Sequence, residues 1–283
     1  MADFSDILLN VDFDRTLTAP DSSIPQRNIE AIKYFIANGG TFTVNTGRSI
    51  PMCHSFIDTL PVNAPLLLYN GSAMYDSHKR EFISYSPIQI DAGKVLRQLQ
   101  ERFPKLTVEI QSADAHYALK QNPGWQAYSA HNCAWAYTDY DHIPQPFIKF
   151  TFYGQFTDVT VASMYHAEPW EIAMMNEAKT YLQESYGQVL DMFQPCPRIV
   201  DVHAKGISKL KIAKDLQKLL GKKILVCVGD APNDIEMLRG ADYSFCPSDG
   251  SIAHSFENVC DCAQGAVADV IYEKIPGISA FEP

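Results

Sequence analysis

The sequence predicts an α/β protein with a Rossmann-like parallel-sheet core at residues 1–84 and 205–283, interrupted by an inserted α+β domain at 85–204. Three observations predict it. Short apolar runs alternate with helical stretches at both ends of the chain, which is the pattern of β-α-β units. The middle of the chain carries β-like alternation between two long helices instead. A length of 283 residues also sits near the upper limit of a single core, so two modest domains fit it.

The elements follow in order. "ILLNV" (7–11), "TFTVNT" (41–46) and "PLLLYN" (65–70) are short and apolar, as buried parallel strands should be. Between the first two, "PQRNIEAIKYFIANGG" (25–40) sets Ile29, Ile32, Phe35 and Ile36 at helical spacing. Pro25 suits the start of that helix, and Gly39 and Gly40 end it. In the inserted domain, "DAGKVLRQLQERF" (91–103) and "WEIAMMNEAKTYLQESYG" (170–187) read as helices. "LTVEIQ" (106–111), "HYALKQ" (116–121), "FIKFTFYG" (147–154), "VLDMF" (189–193) and "RIVDVH" (198–203) read as strands. The core resumes with a helix at "GISKLKIAKDLQKLLG" (206–221) and a strand at "KILVCV" (223–228). A short helix at 233–241, a strand at "YSFC" (243–246) and a helix around "AVADVIYEKI" (266–275) complete it.

Composition narrows the function. A net charge of −10 disfavours nucleic acid and anionic membrane as partners. No apolar run reaches the roughly 18 residues that span a bilayer. The first residues, "MADFSDILLN", lack the layout of a signal peptide, so a cytoplasmic protein is expected. The seven cysteines are scattered, and Cys260 and Cys262 match no usual zinc spacing; buried thiols are expected.

In an open parallel sheet, ligands sit at the carboxyl ends of the strands. Strand one ends in Asp12 and Asp14, strand two in Thr46, Gly47 and Arg48, and strand three in Asn70-Gly71. The strand at 223–228 runs into "GDAPND", carrying Asp230, Asn233 and Asp234. The preceding helix opens with Lys205 and Lys209 near the same rim. Each of these residues alone reads as turn, helix-cap or solvated-lysine chemistry. Their coincidence at every parallel strand end does not. Several carboxylates facing one another repel by about 4 kcal/mol per pair at 4 Å and an effective dielectric near 20, so the site calls for a cation.

"DFDRT", "TVNTGR", "SKLK" and "GDAPND", in this order, resemble the four motifs of the haloacid dehalogenase superfamily of phosphohydrolases. Placement of the insertion between Thr46 and Lys209, with "LLYNGSAMYD" (67–76), is similar to the Cof-like branch and its larger, IIB-type cap. The resemblance implies a phosphatase acting on small phosphorylated metabolites, such as sugar phosphates or cofactor-like phosphates, through an aspartyl-phosphate and Mg2+. It implies Asp12 as nucleophile, Asp14 as acid and base, and Thr46 and Lys209 as stabilisers of the transferring phosphoryl group. Gly47, Arg48 and Asn233 join Thr46 and Lys209 in binding the substrate. The metal falls to Asp12, the backbone carbonyl of Asp14 and Asp230, with Asp234 behind these ligands or bound through water. In the inserted cap, His116, Tyr117, Trp125, Tyr137 and Tyr140 are candidates for reading the leaving group, with core or surface roles as the plainer reading. The chain departs from the family pattern at two positions, with Arg15 and Leu210 where glycine is usual. A phosphomutase of the same superfamily and a non-enzymatic phospho-accepting regulator remain alternatives. Oligomeric state is not legible.

Overall fold

The computed structural model describes residues 3–54, 56–119, 134–154 and 166–279. They belong to two compact units, one of residues 1–47, 56–84 and 208–283 and one of residues 48–55 and 85–207.

The first unit is built on a parallel five-stranded sheet. Its order is Glu257–Val259, Tyr243–Pro247, Ile224–Val228, Ile7–Val11 and Thr41–Val44. The two central strands, "ILLNV" and "ILVCV", are buried along their whole length. Their apolar residues lack alternation because both faces of a parallel sheet are covered. Leu8, Leu225 and Cys227 pack with Ile212 and Leu216 of the Lys209–Leu219 helix and with Met237 and Leu238 of the Ile235–Gly240 helix. Strand order reverses about Ile7–Val11: the chain steps first to Thr41–Val44 on one side and later to Ile224–Val228 on the other. Register pairs Val11 with Val228, so the residues following both strands emerge at one level of the sheet edge. That is the switch-point crevice in which open α/β sheets bind ligands.

The strand expected at 65–70 is Leu66–Leu68, and it joins the parallel sheet only through one bridge, Asn45 to Leu67. It pairs antiparallel with Ala73–Asp76 instead, in a separate three-stranded sheet completed by Glu81–Tyr85. The backbone turns sharply between these strands. Tyr69, Asn70 and Gly71 take φ values of 53°, 55° and 100° in succession. A Cβ on Gly71 would stand 2.4 Å from the carbonyl oxygen of Ser208, so only glycine fits there.

The second unit carries a six-stranded mixed sheet, in the order Leu190–Cys196, Ile199–Ala204, Lys149–Tyr153, Thr107–Gln111, His116–Ala118 and Trp135–Tyr137. Val108, Ile110, Phe150, Phe152, Val200 and Val202 pack on Val95, Leu96 and Leu99 of the Ala92–Arg102 helix and on Met175, Ala178 and Leu182 of the Pro169–Tyr186 helix. The alternate positions, Glu109, Gln111, Lys149, Thr151, Asp201 and His203, are polar and also buried.

Segment 48–55 groups with the second unit. Ser49 explains part of this. Its hydroxyl caps the short Ile50–Cys53 helix and lies 2.7 Å from Nε2 of His116, whose Nδ1 is 2.9 Å from Glu109 Oε1. Nothing in "RSIPMC" announces such a long-range bond. Among the described residues, no helix is long and apolar enough to cross a membrane. The six described cysteines are free thiols and five are buried; Cys133 lies outside the described residues.

Candidate active site

Backbone geometry at the sheet edge positions the acidic residues. Asp12 follows the first strand directly, with its N–H donating to the Val228 carbonyl at 2.9 Å. The chain then makes a wide turn over Phe13–Leu17, closed by Leu17 N–H to Asp12 O and Thr18 N–H to Phe13 O. Arg15 sits in this turn at φ 57°, ψ 12°. This left-handed conformation favours glycine, which accounts for the usual residue there. The Arg15 guanidinium lies 3.8 Å from Asp249. The second departure is compensated by packing. A Cβ on Gly240 would fall 2.3 Å from a Leu210 methyl, so the small residue across the helix pair makes room for leucine.

Asp12, Asp230 and Asp234 bring carboxylate oxygens within 4.8 Å of one another, and all three are buried. Lys209 stands among them, with Nζ 2.7 Å from Asp12 Oδ1 and 2.7 Å from Asp234 Oδ1. Asp234 is occupied on both sides, because its Oδ2 accepts from the N–H groups of Asp230 and Ala231 at 3.1 Å each. Gly229 allows that approach: a Cβ there would lie 2.7 Å from the Asp234 carboxyl carbon. Thr16 donates to Asp230 Oδ1 at 3.0 Å, and Ser251 donates to the Asp230 carbonyl oxygen.

Three carboxylates around one ammonium leave excess negative charge in a buried place. Burial, then repulsion from Asp234, holds Asp12 well above the ordinary carboxylate range, against the pull of Lys209. The same two causes push Asp230 up to about 7. Burial alone would depress Lys209, but the charges of Asp12 and Asp234 outweigh it and raise it. On the Lys209–Asp12 pair these shifts point in opposite senses: a raised lysine describes a firm ion pair, a raised aspartate a strained one. The charge count reconciles them, since Lys209 is over-supplied with partners and the carboxylates are under-supplied with cations. Hard, all-oxygen ligands with unmet negative charge are the donor set of a divalent metal such as magnesium. The residues fit such an ion.

The other expected residues fall as follows. Thr46 is buried at the end of Thr41–Val44, its N–H bonded to Leu67 O and its carbonyl to Asn70 N–H. Gly47 backs onto Asn70, whose Oδ1 would be 2.8 Å from a Cβ. Asp14 is half-buried in the wide turn with extended backbone, and Asn233 is half-buried in the Pro232–Asp234 turn. Arg48 belongs to the second unit. So does Lys205, which pairs with Asp191 at 2.6 Å. In the second unit, Tyr117 bonds Asp114, Tyr140 stacks under Arg97, and Tyr137 is exposed beside Trp135. Trp125 lies outside the described residues. Strand-end reasoning passed over Thr16 and Ser251, which bond Asp230. Thr16 is the threonine of the first motif and was findable; the contact of Ser251 depends on the fold.

A family model for haloacid dehalogenase-like hydrolases matches residues 9–262. The chain belongs to this family of hydrolases. Over 236 residues, 83% of this chain and 80% of the relative, it is 22% identical to the 5-amino-6-(5-phospho-D-ribitylamino)uracil phosphatase YcsE of Bacillus subtilis. A 95-residue stretch, 33% of this chain and 35% of the other, is 27% identical to the pyridoxal phosphate phosphatase YbhA of Escherichia coli. The fold is that of the HAD subclass IIB sugar phosphatase BT4131, with a TM-score of 0.75 at 18% identity over 95% of this chain and 99% of that one.

Proposed function

We propose that this hydrolase is a Mg2+-dependent phosphatase of small phosphomonoesters, working through an aspartyl-phosphate on Asp12. The single observation that carries the reading is the buried Asp12–Asp230–Asp234 cluster with Lys209 inside it. Uncatalysed phosphate monoester hydrolysis is among the slowest of reactions, and phosphoryl transfer is catalysed mainly by positioning and charge neutralisation. The site supplies both.

Lys209 holds Asp12 Oδ1 at 2.7 Å, leaving the other carboxylate oxygen for attack. That oxygen forms a bond to phosphorus while the bond from phosphorus to the ester oxygen breaks, and Asp14 gives the departing oxygen its proton. Water then attacks the aspartyl-phosphate, Asp14 takes a proton back, and inorganic phosphate leaves with Asp12 restored. Lys209 and Thr46 stabilise charge on the transferring oxygens; Gly47 and Asn233 are assigned to binding the substrate. Arg48 is assigned to the substrate from its sequence position alone. Asp12, the Asp14 carbonyl and Asp230 would hold Mg2+. Asp234, whose oxygens already serve Lys209 and two backbone N–H groups, would act from behind, through water or through its neighbours. When bound, the ion supplies positive charge between the carboxylates and the phosphate dianion.

For the substrate, the named relatives favour a phosphate on a sugar, a ribityl chain or a cofactor such as pyridoxal. The second unit is read as the cap that selects among them, and a cytoplasmic setting suits such metabolites. Phosphate release over a metabolite panel, with chelation and Mg2+ restoration, tests the reading. Release should stop on chelation, return with Mg2+ and fall strongly in Asp230→Ala. Full turnover in metal-free buffer would contradict the mechanism, and a strict requirement for a bisphosphate activator would favour a mutase.

A further inference from the structure

Two asparagines sit where a buried parallel sheet has every reason to place aliphatic residues. Asn10 lies within the first strand and Asn45 directly after the second, and both are wholly buried. The side-chain oxygen of each is enclosed without a partner, so each amide carries an uncompensated desolvation cost that a leucine would not. Their amide nitrogens are engaged differently. Asn10 Nδ2 points at two sulfurs, Met237 Sδ at 2.9 Å and Cys227 Sγ at 3.4 Å. Asn45 Nδ2 donates to the main-chain carbonyl of Lys209 at 2.9 Å and lies 3.6 Å from Met237 Sδ. The amide orientation is fixed by its partner: a carbonyl oxygen only accepts, so the NH2 group must face it.

Asn45 thereby touches the neighbourhood of every motif. It precedes Thr46 in the chain. Its own N–H donates to Val11 O, the residue before Asp12, at 2.8 Å. Its side chain holds the first residue of the Lys209–Leu219 helix and reaches Met237, three residues after Asp234. Lys209 must keep its ammonium 2.7 Å from two carboxylates at once, so a small displacement of its backbone would break one contact.

We propose that Asn45 is a positioning residue, acting through the Lys209 carbonyl to fix the ammonium against Asp12 and Asp234. The proposal rests on the phosphatase reading for its kinetic consequence but not for its structural one. Asn45→Leu keeps the size, removes the donor and also removes the orphaned oxygen. It should leave thermal stability equal or higher while kcat for a generic aryl phosphate falls about tenfold and KM stays within about threefold. Asn10→Leu is the matched control, removing the amide that bonds only sulfur, and should keep kcat within about twofold. The activity-independent readout is the rate at which acetic anhydride labels Lys209, followed by peptide mass spectrometry. That rate should rise about tenfold in Asn45→Leu. If Asn45→Leu does not fold, Asn45→Ala carries the same expectations for labelling, kcat and KM, with a loss of stability from the cavity it leaves. Unchanged labelling overturns the proposal whether or not the protein is active, and so does faster labelling with unchanged kcat. Failure of the wild type to release phosphate overturns the phosphatase reading and leaves the labelling result to decide this one.

Discussion

Replacing Lys209 with methionine keeps most of the side-chain volume and removes the one ammonium in the carboxylate cluster. Each of its two contacts, at 2.7 Å, is worth about 6 kcal/mol of Coulomb attraction at an effective dielectric near 20. Burying the charges consumes most of that. What the variant loses is the compensation of carboxylates that remain buried, a cost of about 3–5 kcal/mol when one partner of a buried pair is removed. A domain with a stability of about 5–15 kcal/mol stays folded but clearly weakened. A divalent metal held by the carboxylates would supply part of the missing charge, so the loss in urea unfolding should be larger with chelator than with saturating Mg2+. Turnover should fall by about 10²–10³, the usual effect of deleting one donor to a developing negative charge. A stability loss below about 1 kcal/mol in metal-free buffer would show that the pair costs as much to bury as it returns. Turnover within tenfold of wild type would remove Lys209 from the mechanism.

Two further outcomes follow from particular contacts. Arg15→Gly relieves a left-handed backbone but gives up a half-exposed ion pair worth at most about 1 kcal/mol, so stability should change by no more than about 1 kcal/mol. With the guanidinium engaged by Asp249, kcat/KM should stay within about threefold for aryl phosphate and metabolite alike; a tenfold loss confined to the metabolite would instead make Arg15 a reader of the leaving group. In the second unit, burial pushes His203 down to about 3, against the charges of Asp201 and Asp191 and with that of Lys149. The unfolded chain takes up this proton near pH 6.5 while the folded one stays neutral, so stability must fall as pH drops through 6.5 toward 3, by at most about 1.4 kcal/mol per pH unit. His203→Gln should flatten the urea-midpoint profile between those values, and parallel profiles for variant and wild type would contradict the assignment.

Asp12 and Asp230 were legible because of a topological rule: polar residues ending apolar runs in a parallel sheet share one edge, and the Val11–Val228 register puts these two side by side. Lys209 was legible because its helix directly precedes the second of those strands. Less could be read where position depends on contacts distant in sequence. The hydrogen bond from Asn45 to the Lys209 carbonyl spans 164 residues, and nothing local marks Asn45 as its donor. "LLLYNG" looked like a third parallel strand because its burial is real, but antiparallel pairing with Ala73–Asp76 captures it after one bridge. Arg15 shows the converse: an unusual residue was visible in the sequence, while its left-handed backbone and its partner Asp249 were not.

The most direct test of the account asks whether Asp12 carries the phosphoryl group. Wild-type protein is quenched in acid during turnover of an aryl phosphate, digested, and examined by mass spectrometry, beside Asp12→Asn freed of contaminating phosphatase. The account predicts one phosphoryl group on the wild-type peptide containing Asp12, and in the variant no phosphoryl peptide and no phosphate release with an intact fold. A phosphoryl group on any other residue, or an Asp12→Asn protein retaining about a tenth of wild-type turnover, would contradict it.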